Sequence, residues 1–183
     1  MSSKRCFVIA EIGVNHNGDM EIARRLNAQG INFYAPLVLS TEELARDLRA
    51  EPVIREQLAS IPDCDLALYS VGTVDAESHV IKCGALSAAE MAALRQLGAA
   101  GVIAGQIIDA TGAALDCSYN RRVISADLVS LRAIGKRLMV VREEAKFEAL
   151  LAAIAGGLCT HLVVGAALAR RLLDHAKATA SAA

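Results

Sequence analysis

A mainly parallel α/β sheet with flanking helices is the fold class this chain predicts, on three observations. Short apolar runs alternate with stretches of helical periodicity along the chain. The runs are continuous rather than polar–apolar alternating, the pattern of strands buried on both faces. Turn and cap residues sit between them at the spacing of βα units. At 183 residues the chain fits one domain, which buries roughly 70% of its unfolded surface.

Cys6–Ala10 (CFVIA) is strand-like, and Asp19 can N-cap a helix running to Ala28. Phe33–Leu39 is extended and pinned by Pro36; Thr41 opens a helical region that Pro52 interrupts, and Val53–Ser60 forms a second piece. Leu66–Val71 (LALYSV) is an apolar strand ending at Gly72. Ser87 with Glu90 three residues on makes a capping box for a helix to Leu97. Val102–Ile108 reads as one strand and Asp109–Gly112 as a turn. Asp127–Ile134 is a short helix, Leu138–Val141 a strand, and Glu143–Ala155 a helix closed by Gly156. Thr160–Val164 is the last strand and Ala166–His175 the last helix, with Ala178–Ala183 a frayed tail.

Composition excludes several classes. With 19 basic and 20 acidic residues the net charge is −1, so no global field draws nucleic acid or anionic lipid. There is no basic recognition helix, and direct DNA binding by this chain alone is not expected. Aromatics are 3% with no Trp, which leaves little for stacking bases or sugar rings. A hydrophobic content of 54% implies apolar surface covered by a like subunit. The stretch Ala149–Ala169 has no formal charge, but Gly156-Gly157 breaks it into helix end, turn and strand, so no membrane span is expected. Five scattered cysteines (Cys6, Cys64, Cys83, Cys117, Cys159) form no CxxC and read as thiols in a reducing, cytoplasmic setting. His79, His161 and His175 stand apart from any metal-ligand spacing, so neither metal nor cofactor is expected. No nucleophile–base pair stands out. Ligands in open α/β sheets lie beyond the C-terminal strand ends, which here points to the segments after Val71, Ile108, Val141 and Val164.

Two resemblances add to this reading. Phe7–Leu26 (FVIAEIGVNHNGDMEIARRL) resembles the first strand, loop and helix of the sialic acid synthase family, metal-dependent TIM barrels that condense phosphoenolpyruvate with an N-acetylated amino sugar. That resemblance implies that Glu11, Asn15, His16 and Asn17 form a barrel-mouth loop. Asn-His-Asn-Gly is also an ordinary loop sequence, and the family's next signature is replaced by Asn32-Phe33-Tyr34-Ala35-Pro36-Leu37. A barrel takes about 250 residues, so the synthase reaction is not expected of this chain, and enzymatic activity in general is doubtful on these residues.

From about residue 31 to 175 the chain looks like the effector-binding (sugar-binding) domain of SorC/DeoR-type transcription regulators. The matching pieces are FYAPLVLSTEELARDL, DLALYSVGTVDAESHVIKCGALSAAEMAALRQLGAAGVIAGQIIDATGAALD, NRRVISADLVSLRAI and KFEALLAAIAGGLCTHLVVGAALARRLL, in the family's order. The resemblance implies a ribose-5-phosphate isomerase/CoA transferase-like fold, truncated here at its N-terminal half. It also implies a phosphorylated sugar as effector and a homo-oligomer as assembly. The expected organisation is a synthase-like segment (1–30), a partial sugar-binding domain (31–176) and a tail (177–183). Residues Asn120, Arg122 and Lys146 are the implied effector contacts, with Asp109 and Gly72 lining the site. Arg and Lys suit a phosphate, while Asp109 and Asn120 equally favour turns unaided, and Ser78 is either a site edge or a loop hydroxyl. Departures stand at Ser70-Val71-Gly72, Ser125, Arg142-Glu143 and Val164-Gly165-Ala166, where side chains replace family glycines or the family's Thr-Asp-Glu. A joined product of two coding segments, or a decayed paralogue with no ligand, is the alternative.

Overall fold

A computed structural model describes residues 8–10 and 33–181. The expected helix Asp19–Ala28, the loop residues Glu11, Asn15, His16 and Asn17, and Cys6 lie outside the described residues. In chain order the elements are β1 (Val8–Ala10), α1 (Glu42–Ala50), α2 (Pro52–Ala59), β2 (Leu66–Tyr69), α3 (His79–Lys82) and α4 (Ala88–Gln96). There follow β3 (Ala99–Ile103), β4 (Gln106–Asp109), α5 (Ser118–Arg122), α6 (Leu128–Ala133), β5 (Lys136–Val141), α7 (Phe147–Ala155), β6 (His161–Val164) and α8 (Ala166–Ser181). Strands β1, β2, β5 and β6 form one parallel sheet in that order, and β3 and β4 form a separate antiparallel hairpin.

Local chemistry sets the helix starts. The Thr41 hydroxyl accepts the Leu44 N–H at 3.2 Å, and Pro52 occupies the first turn of α2, where its missing N–H is not needed. The capping box forms: the Ser87 hydroxyl accepts the Glu90 N–H at 3.2 Å while the Glu90 carboxylate accepts the Ser87 N–H at 2.7 Å. Asp127 caps α6 by accepting the Ser130 N–H at 2.7 Å.

Three expectations are corrected. Val102–Ile108 is not one strand: Ala104 and Gly105, at φ 49° and 76°, make a two-residue turn that folds the run into the β3–β4 hairpin. The last helix does not end at His175, because α8 continues to Ser181. Nor are the strands buried on both faces; β2 and β5 bury alternate residues, and β6 alternates exposed with half-buried ones. A continuous apolar run shows that a strand can be covered, not that a second layer is present to cover it.

The core lies on one side of the parallel sheet. Ala67, Tyr69, Met139 and Val141 point into it and meet Ile103 and Ile108 of the hairpin, Leu128 and Leu131 of α6, Leu150 of α7 and Leu168 of α8. Each aliphatic side chain fully buried there contributes roughly 1.5–3 kcal/mol. A second cluster, including Met91, Leu94, Ile107, Tyr119 and Val123, joins α4 and α5 to the hairpin. At the far end of the hairpin two backbones touch: a Cβ on Gly112 would stand 2.4 Å from the Ala152 carbonyl oxygen and 2.6 Å from Gly156 Cα. Arg132 bridges this contact, donating to the carbonyls of Gly156 (2.7 Å) and Gly112 (2.8 Å).

Candidate functional site

The hairpin leans across the C-terminal end of the parallel sheet. Gly72, just beyond β2, pairs with Val102 through both backbone bonds, at 2.8 and 3.0 Å. A Cβ on Gly72 would stand 3.2 Å from Val102 Cβ, so a side chain there would wedge the hairpin off the sheet. Gly101 brings a third element in. A Cβ at that position would stand 2.7 Å from Ala149 Cβ and 3.5 Å from the Gly72 carbonyl oxygen. Gly101 thus holds together the loop after β2 and the first turn of α7. The turn Glu144–Lys146, which follows β5, leads directly into that helix.

The five residues implied as effector contacts divide between two regions. Lys146 and Gly72 lie at the C-terminal end of the sheet. The Lys146 side chain is 23% exposed and its ammonium pairs with Glu143 at 3.0 Å. That hydrogen bond holds the Glu143 carboxyl below its ordinary range. Backbone N–H groups at Glu143 and Arg142 add smaller contributions in the same direction, and the Glu143 side chain is 58% exposed.

The other three serve the hairpin. Asn120 is fully occupied by backbone: its amide oxygen accepts the Ile107 N–H at 2.8 Å, and its amide nitrogen donates to the carbonyls of Ile107 (2.8 Å) and Leu115 (2.7 Å). Asp109 closes the turn after β4, accepting from the Thr111 hydroxyl (2.7 Å), the Thr111 N–H (2.8 Å) and the Ala113 N–H (3.0 Å). These bonds, the Thr111 hydroxyl first among them, lower its pKa. Arg122 donates to the Leu39 carbonyl at 3.1 Å while its own carbonyl accepts the Leu39 N–H at 3.0 Å. Its charge is the smallest of the causes that lower the pKa of Glu42, where the Arg121 hydrogen bond leads, and of Glu90, where the Ser87 cap leads.

Other residues enter that sequence reasoning missed or read differently. Gln106, at the start of β4, donates to the Ala126 carbonyl at 2.7 Å and to the Ser125 hydroxyl at 3.4 Å, so Ser125 serves as a tie between hairpin and α6. Arg49 donates to the carbonyls of Arg121 (2.9 Å) and Val123 (2.6 Å), holding α1 on α5. Ser78 is 1% exposed, and among the described residues its hydroxyl has no hydrogen-bond partner. Gly101 could have been flagged, since glycine within a strand pattern marks close backbone approach. The segment after Ile108 leaves the set of sheet ends, because β4 belongs to the hairpin. Among the described residues no three His, Cys, Asp or Glu side chains come together as metal ligands. No helix there is long and apolar enough to cross a membrane.

Comparison with known proteins gives this geometry a context. A family model, that of a sugar-binding domain, matches residues 3–174, and so takes in Phe7–Leu26 as well as the rest. The synthase resemblance of that stretch is not supported by the comparisons. The transcriptional regulator YjhU of Escherichia coli strain K12 is 33% identical over 153 residues, 84% of this chain and 47% of its own. The transcriptional regulator LsrR of Enterobacter sp. strain 638 is 28% identical over 142 residues, 76% of this chain and 44% of its own. The chain spans about half the length of these curated relatives. Among solved structures, the full-length sorbitol operon regulator SorC of Klebsiella pneumoniae superposes with a TM-score of 0.74 at 21% identity, over 82% of this chain and 49% of that one. At that identity the likeness establishes the fold: a parallel sheet flanked by helices.

Proposed function

Because the chain belongs to the family of sugar-binding domains found in SorC/DeoR-type transcriptional regulators, we propose that it binds a small phosphorylated sugar at the C-terminal end of its parallel sheet. The observation that carries this reading is the junction at Gly101, which joins the Gly72 loop to the first turn of α7 beside Lys146. A half-buried ammonium at the C-terminal end of the parallel strands suits a phosphate dianion. Lys146 is the phosphate contact, acting as a movable point charge, and Gly72 lines the pocket floor. Asn120, Asp109 and Arg122 position the hairpin wall from behind. Glu143 holds Lys146 in the unliganded protein. It must swing outward when a phosphate arrives, because two anions on one ammonium repel. Affinity accordingly falls as salt rises.

In a regulator this binding would be read out through association with like subunits. The test is a thermal-shift series with pentose and hexose phosphates at millimolar concentration, with the unphosphorylated sugars as controls. Stabilisation by a sugar phosphate and not by its parent sugar is expected, about 2.7 kcal/mol at one hundred times Kd. No shift with any member overturns the reading.

A further inference from the structure

Helix α8 starts directly after β6, at the same end of the parallel sheet as Lys146. Its start is docked on the end of β5. The Gly165 N–H donates to the Val141 carbonyl at 3.4 Å, and a Cβ on Gly165 would stand 3.4 Å from the Arg142 carbonyl oxygen. Further along α8, Arg171 lays its guanidinium over the Phe147 ring, 3.9 Å from the centroid. The same group donates to the Glu144 carbonyl at 3.4 Å and faces the Glu148 carboxylate at 3.8 Å. Arg171 therefore touches the chain on both sides of Lys146.

These contacts matter because the segment has little else to hold it. Glu144–Lys146 is a single 3-10 turn, in which the Lys146 N–H donates to the Glu143 carbonyl at 3.1 Å. Turns of this kind have poorer hydrogen-bond geometry than an α-helix. Among the described residues neither the turn nor α7 has a side-chain cap at its start. Phe147, 5% exposed, anchors the segment in the core just after Lys146. The pair with Glu148 is long and lies between side chains 48% and 74% exposed, so it adds little. The stack and the carbonyl bond are what distinguish Arg171. A planar guanidinium lies flat on a ring and donates along its edge at the same time.

We propose that Arg171 is the positioning residue for Lys146: by clamping Glu144 and Phe147 from α8, it fixes the turn from which the ammonium reaches a bound phosphate. The proposal rests on the reading of Lys146 as the ligand contact. A phosphate that displaces Glu143 removes the ion pair that holds the ammonium in the free protein. The aim of the lysine must then come from its backbone, and a contact group is only as precise as the residues that support it. Arg171 acts through the turn and not on the ligand.

The test is carboxyl NMR of the full chain across an acid titration, in the parent, Arg171→Ala and Arg170→Ala. Arg170 is exposed on the same helix, so its loss removes the same charge without the clamp. The Lys146 hydrogen bond holds the Glu143 carboxyl below its ordinary range, so the Glu143 midpoint reports whether the lysine is held. We expect that midpoint to rise toward the ordinary carboxylate range in Arg171→Ala and to stay at the parent value in Arg170→Ala. With a sugar phosphate that stabilises the parent, Arg171→Ala loses most of the thermal shift and Arg170→Ala keeps it. An unmoved Glu143 midpoint in Arg171→Ala overturns the proposal, and a lowered melting temperature beside it would make Arg171 a packing residue alone. An equal rise in Arg170→Ala, or a full ligand shift in Arg171→Ala, overturns it as well. A parent that no sugar phosphate stabilises, with Glu143 responding as expected, sinks the ligand reading and leaves the clamp on Lys146 standing.

Discussion

The hairpin and the C-terminal end of the parallel sheet carry the same kinds of polar residue and use them in opposite ways. In the hairpin, Asn120 and Asp109 are saturated by backbone and neighbouring hydroxyls, and Arg122 holds a carbonyl. At the sheet end, Lys146 has one ion pair with an exposed carboxylate that can leave. A side chain whose bonds are all internal is scaffold; one whose single partner can be exchanged is available to a ligand.

That contrast can be broken most sharply at Asn120. Asn120→Ala leaves a donor and two acceptors of the backbone without partners, and should cost about 3 kcal/mol in urea denaturation. Lys146→Ala, by comparison, should stay within about 0.5 kcal/mol of the parent. Equal losses at the two positions would erase the distinction. Gly101→Ala sharpens it from the packing side: a Cβ 2.7 Å from Ala149 Cβ overfills the junction, costing about 1–3 kcal/mol in the same assay. It should also weaken any response to sugar phosphates, because it parts the two loops that meet there.

Tyr69 gives a smaller, pH-dependent effect on the packed side of the sheet. Its hydroxyl donates to the Leu158 carbonyl, and burial pushes its pKa from 10.0 up to about 12. The unfolded chain therefore loses the phenolic proton first. Stability is level below pH 10 and falls between pH 10 and about 12. Tyr69→Phe should cost about 1 kcal/mol at neutral pH and remove that alkaline fall, as followed by denaturation at stepped pH. Smallest is Asp109, whose lowered pKa adds stability above the ordinary carboxylate range that is lost as pH falls through its folded value. Asp109→Asn should flatten the acid limb of the same profile.

Most of the fold was legible because it is written locally. The Ser87–Glu90 box, the Thr41 and Asp127 caps and the Pro52 break are short-range chemistry, and each appears where expected. The hairpin was not, because Ala104-Gly105 lacks the Asn or Asp that marks a two-residue turn. Helices α3 and α5, four and five residues long, are too short to show a period. The exposure of Val140 and Val163 was invisible for a different reason: both read as core in any window of sequence, and only the packing shows which face of the sheet the described residues cover. At the site, family resemblance selected Lys146 and Asn120 alike. What separates them is the pair of backbone groups at Ile107 and the one at Leu115 that occupy Asn120, a relation no spacing rule reaches.

The most direct measurement is the thermal shift of the parent chain and Lys146→Ala side by side with a stabilising sugar phosphate, at two salt concentrations. Stabilisation of the parent that weakens with salt and vanishes in Lys146→Ala, with both proteins melting together in the absence of ligand, is the predicted result. An equal shift in the two proteins would contradict the assignment of the sheet end as the ligand site.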